Sequence, residues 1–146
     1  MPGIVVGYDG SAHSERSLEW AMKEAQLRHV PLTVLAVHPV ALSAWTRAPI
    51  TYPVDEQEVD RARTAAQESA DKVASQIGGE RPAITVQAIS GVPAEELVKA
   101  GENADLLVVG SRGSGGFGHL QLGSVSTQAV HHAPCPVTVV RGPAPS

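Results

Sequence analysis

The chain has 146 residues, enough for one domain that buries about two-thirds of its unfolded surface without disulfide support. A net charge of −4, the lack of any basic run and an aromatic content of only 3% exclude a broad nucleic-acid footprint and a base-stacking platform for single strands. The single cysteine, Cys135, excludes an internal disulfide and suits a reducing compartment.

Met1-Pro2-Gly3 leads directly into an apolar, β-branched run, Ile4 to Tyr8, that predicts the first strand. No charged leader precedes it and no apolar run has transmembrane length, so the sequence reads as a soluble cytoplasmic protein without a membrane role. Asp9-Gly10-Ser11 is the turn into a first helix, where Leu18, Ala21, Met22 and Ala25 recur at helical spacing and define the buried face. Asp9 has two readings: a ligand-binding carboxylate at the carboxyl end of a parallel strand, or a turn and capping residue. Pro31 is expected to break the helix, and Leu32 to Val37 form an apolar second strand of interior character. Residues 38–54 hold Pro39, Pro49, Pro53, Trp45 and Tyr52 without periodicity and read as a long loop, either a lid or partner surface anchored by Trp45 or a disordered segment. From Asp55 a stripe of Val59, Ala62, Ala66, Ala70, Val73 and Ile77 predicts a second helix, ended by Gly78-Gly79. Ile84 to Ile89 reads as a third strand, and Gly91 with Pro93 starts a short helix carrying Leu97 and Val98.

Leu106 to Val109 is a continuous apolar run, as in a strand covered on both faces. The next fourteen residues contain six glycines, Gly110, Gly113, Gly115, Gly116, Gly118 and Gly123, before a helix begins near Ser124. Ordering so much glycine is entropically costly, which points either to a ligand lying against bare backbone or to a flexible linker. Gly113-x-Gly115-x-x-Gly118 has the letters of a dinucleotide fingerprint, yet no Asp or Glu follows Asp105 to hold a ribose. A Walker loop is excluded because Leu122 stands before Gly123-Ser124 and Lys99 is the last lysine. His131, His132 and Cys135 offer at most three ligands without the paired spacing of a structural zinc site, so no metal site is assigned. The histidines suit the last turn of a helix stopped by Pro134 and Pro136, and Val137 to Val140 forms the fifth strand. The order β-α-β-α-β-α-β-α-β, with right-handed crossovers, predicts a single α/β domain over residues 1–146, a doubly wound parallel sheet with helices on both faces and a short tail at 142–146. The bare apolar edge of the fifth strand calls for pairing with a second copy, a homodimer through 137–140.

The spacing Gly110-x2-Gly113-x9-Gly123-Ser124, with the opening Ile4-Val5-Val6-Gly7-Tyr8-Asp9-Gly10-Ser11 and the closing Pro134-Cys135-Pro136-Val137-Thr138-Val139-Val140, resembles the ATP-binding branch of the universal stress protein family over nearly the whole chain. The resemblance implies strand order 3-2-1-4-5, with Asp9 and the Gly110 loop on either side of one crevice. It also implies an ATP site shared by Gly7, Asp9 and Val37, by Val109, Gly110, Arg112 and Gly113, and by Gly123, Ser124, Val125 and Ser126. Adenine would face the backbone at Val37, ribose would lie near Asp9, and the phosphates would meet the loop amides and the Ser124 and Ser126 hydroxyls. Mg²⁺ held mostly by phosphate oxygens and water would complete charge neutralisation around Arg112, the loop's one formal cation. The expected function is a cytoplasmic, nucleotide-dependent stress-response regulator acting as a dimer. Two alternatives stay open, a slow ATPase or phosphotransferase and a nucleotide-free partner-binding member of the fold. Asp9, Arg112 and His119 supply titratable groups without an arranged nucleophile or base, so no catalytic residue is assigned.

Overall fold

The computed structural model describes residues 2–39, 56–111 and 123–142. Its elements follow in the order β1 (Ile4–Tyr8), α1 (Ala12–Arg28), β2 (Leu32–Pro39), α2 (Glu56–Ile77), β3 (Ile84–Gly91), α3 (Pro93–Ala100), β4 (Leu106–Gly110), α4 (Ser124–His132) and β5 (Val137–Val140). A single 3-10 turn, Gly101–Asn103, links α3 to β4. All strands are parallel, in the order β3-β2-β1-β4-β5. This is the doubly wound α/β sheet that the sequence pattern and the family resemblance led us to expect.

The period of two along each strand divides the core into two layers. Ile4, Val6 and Tyr8 point to the layer built with Leu18, Met22 and Ala25 of α1 and with Ala66, Ala70 and Val73 of α2. Val5, Leu35, Leu107 and Val109 point to the other, against Leu97 of α3 and Ala129 of α4. Because both faces are covered, Leu106 to Val109 of β4 are apolar and buried without alternation, whereas the edge strand β3 alternates, with Thr85 and Gln87 exposed. Leu18, Met22, Leu32 and Leu107 are fully buried, and each contributes about 1.5–3 kcal/mol of burial free energy.

Several boundaries differ from the sequence reading. Helix α1 ends at Arg28, with His29 in the left-handed region (φ 56, ψ 46) donating its N–H to the Ala25 and Gln26 carbonyls. His29, a rare non-glycine cap, therefore stops the helix two residues before Pro31. Strand β2 continues past Val37 through His38 and Pro39, in register with Ser90 and Gly91 of β3. Pro39 is tolerated because β1 ends at the Tyr8–Ala36 pair, which leaves β3 as its one neighbour there. Gly91 accordingly belongs to β3, and α3 starts at Pro93 in its first turn. The loop assigned to 38–54 thus loses His38 and Pro39 to strand; Trp45, Tyr52 and the rest of residues 40–55 lie outside the described residues.

Gly78, at φ 70, follows α2 and donates its N–H to Ala74, as the Gly78-Gly79 stop implied. Ala133 is extended at the end of α4, the conformation imposed on a residue preceding proline.

Candidate functional site

The two halves of the sheet separate at one point on its carboxyl edge. Strand β1 stays in register with β2 as far as Tyr8–Ala36, and β4 with β5 as far as Gly110–Val140. Between β1 and β4, however, the register covers only Ile4–Leu106, Val5–Leu107 and Val6–Val108. Beyond Val6 and Val108 the two central strands are no longer paired. This is also where the winding reverses, the place at which open α/β sheets bind ligands.

On the β1 side stands Asp9, exposed at the head of the turn into α1. Its Oδ1 accepts the Ser11 N–H at 2.9 Å, and Gly10 takes φ 84, a conformation costly to residues with a side chain. Ser11 then caps α1 by accepting the Ser14 N–H at 3.2 Å, while Ser14 Oγ donates to the Ser11 carbonyl at 2.9 Å. Asp9 therefore holds the turn through one oxygen, while its exposed carboxylate stands at the mouth of the separation. Gly7, just inside, underlies α3: a Cβ there would stand 3.1 Å from both Leu97 methyl carbons, so the missing side chain serves close helix packing. Val37 is half-buried beside Ile89 in the α3 and α4 layer, on the part of β2 that overhangs β1.

On the β4 side, Val109 is buried, Gly110 is half-buried and Ser111 is 7% exposed. Ser111 is a joint that the sequence reading did not single out. Its N–H donates to the Val140 carbonyl at 2.9 Å, and its carbonyl accepts the Gly123 N–H at 2.6 Å. The chain that leaves β4 thus returns to the same residue before entering α4. Ser126, 2% exposed, reinforces the closure, its Oγ donating to the Gly123 carbonyl at 3.0 Å and the Ser111 carbonyl at 3.3 Å. In this arrangement the Ser126 hydroxyl hydrogen points inward to backbone, unlike the phosphate-facing hydroxyl implied by the resemblance. Ser124 is exposed and Val125 half-buried. Gly123 is the N-cap of α4 and supplies no capping side chain, so the first-turn amides of Ser124, Val125 and Ser126 have no side-chain cap acceptor. Uncapped amides at a helix start suit an anionic oxygen. Arg112, Gly113 and His119, with the remaining glycines of the loop, lie outside the described residues.

Beside the crevice, the Tyr8 hydroxyl donates to Glu15 Oε1 at 2.7 Å and lies 2.6 Å from Ser69 Oγ, which itself donates to Glu15 Oε1 at 2.7 Å. Burial, with the Glu15 charge adding to it and the Ser69 bond opposing it, pushes the Tyr8 phenol up to about 12. Among the described residues no group of three His, Cys, Asp or Glu is placed to hold a metal. His131 and His132 are exposed in the last turn of α4, and burial pushes the half-buried Cys135 thiol up. No described helix is long and apolar enough to cross a membrane.

Residues 2–141 match the model of the universal stress protein family. The chain belongs to that family. Among its relatives, a universal stress protein of Mycolicibacterium smegmatis is 39% identical over 96% of this chain and 48% of its own length. The chain spans about half the length of the first curated relatives it matches. Among solved structures, a universal stress protein in complex with cAMP is 23% identical, covers 96% of each chain and superposes with a TM-score of 0.68. The universal stress protein of Archaeoglobus fulgidus in complex with dAMP is 25% identical over 96% of this chain and 98% of that one, with a TM-score of 0.62.

Proposed function

We propose that this universal stress protein binds ATP in the crevice between Asp9 and Gly110 and acts as a nucleotide-dependent regulator of the stress response in the cytoplasm. The observation that carries the reading is the end of β1–β4 pairing at Val6–Val108, which opens the sheet between an exposed carboxylate and an uncapped helix start. Adenine is assigned to the overhanging end of β2 at Val37, and ribose to the space between Asp9 and Gly110. The phosphates are assigned to the amides of Ser124, Val125 and Ser126 and to the glycine-rich segment containing Arg112 and Gly113. Mg²⁺ held on phosphate oxygens and water would neutralise part of the ATP charge. The dAMP complex of the Archaeoglobus relative supports an adenine nucleotide as the ligand class.

The chain's own residues supply binding and orientation. Asp9 accepts a ribose hydroxyl, and Gly7 lets Leu97 close the floor beneath the site. The Ser111–Gly123 bond keeps the phosphate amides in position. Strand β5, paired among the described residues with β4 alone, is assigned as the homodimer edge, and sedimentation should return a dimer; a monomer would remove that assignment.

The deciding experiment is to denature freshly purified protein, identify released nucleotide by chromatography against ATP, ADP, AMP and NAD standards, and titrate stripped protein with ATP and Mg²⁺. ATP bound near one per chain supports the reading. A protein that releases no nucleotide and takes up no added ATP overturns it.

A further inference from the structure

Arg16 stands out among the basic side chains. Lys23, Arg28, Arg61, Arg63 and Arg81 each pair with a carboxylate, and Lys72, Lys99 and Arg141, which have no ion pair among the described residues, are exposed; Arg16 has no ion pair there either, yet is not exposed. It is half-buried, and its Nε is buried without a hydrogen-bond partner. Its Nη2 lies 2.7 Å from His13 Nδ1; since a guanidinium can only donate, Nδ1 accepts and the imidazole proton sits on Nε2. The guanidinium also lies close to Gly142 in the chain leaving β5. A Cβ on Gly142 would fall 2.6 Å from Nη2, 3.1 Å from Cζ and 3.3 Å from Nε, so a side chain there would oblige the guanidinium to shift.

That position is next to the joint of the proposed phosphate site. Two residues before Gly142, the Val140 carbonyl holds the Ser111 N–H, and the Ser111 carbonyl holds Gly123 at the start of α4. A helical side chain leans toward the N-terminus of its helix, which carries Arg16 up α1 toward the same carboxyl edge. A planar cation with spare donors and no carboxylate is suited to phosphate oxygens, which it can bind in fork fashion.

We propose that Arg16, oriented by His13 and seated on Gly142, binds the terminal phosphates of the nucleotide and makes the site prefer a nucleoside triphosphate over a monophosphate. This rests on the ATP-binding reading and adds to it the residue that selects for phosphate number.

The test is calorimetric titration of wild type, Arg16→Gln and Arg16→Lys with ATP and with AMP, each with Mg²⁺, alongside thermal melting. Arg16→Gln should lower ATP affinity about tenfold or more, as for loss of a charged hydrogen bond, and leave AMP affinity unchanged. Arg16→Lys, which keeps the charge without the fork and guards against a folding defect in the first variant, should fall between. Unchanged ATP affinity in Arg16→Gln, or an equal loss for ATP and AMP, overturns the assignment of Arg16 while the ATP-binding reading stands. A wild-type protein that binds neither nucleotide overturns both.

Discussion

Replacing Tyr8 with phenylalanine tests how the first turn of α1 is tied to the sheet. The substitution keeps the buried ring and removes the hydroxyl that meets Glu15 at 2.7 Å and Ser69 at 2.6 Å. Ser69 still donates to Glu15, so no carboxylate is stranded, and the expected loss near neutral pH is about 1–2 kcal/mol. The pH dependence is more telling. The phenol titrates at about 12 in the folded protein against 10.0 unfolded, so the folded state holds this proton more tightly. Its contribution is fully present below pH 10 and is lost as pH rises through 12. Linkage bounds that loss at about 1.4 kcal/mol by pH 11 and about 2.7 kcal/mol above pH 12, and solvent screening lowers both. The stability gap between wild type and Tyr8→Phe should therefore shrink progressively from about pH 9 to pH 11. Urea denaturation of both proteins from pH 7 to 11 measures this directly, because the other alkaline groups, including Cys135, titrate alike in both. Parallel stability curves across that range would refute the buried Tyr8–Glu15–Ser69 arrangement.

Three further outcomes follow from the site geometry. Asp9→Ala should weaken ATP binding by about tenfold and also lower the melting temperature, because it removes both the ligand carboxylate and the acceptor for the Ser11 N–H; Asp9→Asn, which keeps an acceptor oxygen, should restore the melting temperature but not the affinity. Ser126→Ala should cost about 1 kcal/mol in chemical denaturation and reduce ATP affinity measured by titration, since the hydroxyl bridges the Gly123 and Ser111 carbonyls rather than touching ligand; a binding defect without a stability defect would contradict that role. Gly142→Ala should leave the fold intact by melting yet displace the Arg16 fork, lowering ATP affinity with no change for AMP; unaltered ATP binding would show that the fork's seat is unimportant.

Composition and pattern sufficed for the elements and their class. Buried parallel strands are recognisable as unbroken apolar runs, and α1 and α2 by stripes that fall on one face, because both signals are set by neighbours within a few residues. The turn at Asp9-Gly10-Ser11 and the helix start at Ser124 were legible for the same local reason. What tertiary structure decided involves partners that are distant in sequence. Strand β2 runs on to Pro39 because β3 lies beside it while β1 has already ended, a fact of register that no local propensity contains. Helix α1 stops at His29 although histidine is no habitual left-handed cap. Tyr8 meets Ser69, and Arg16 meets Gly142, across spans of chain that carry no spacing rule. The early end of β1–β4 pairing, on which the proposed function depends, is a matter of two strands far apart in the chain that pair for three residues only. Local chemistry selects helices, strands and turns; where neighbouring strands cease to pair is set by long-range packing.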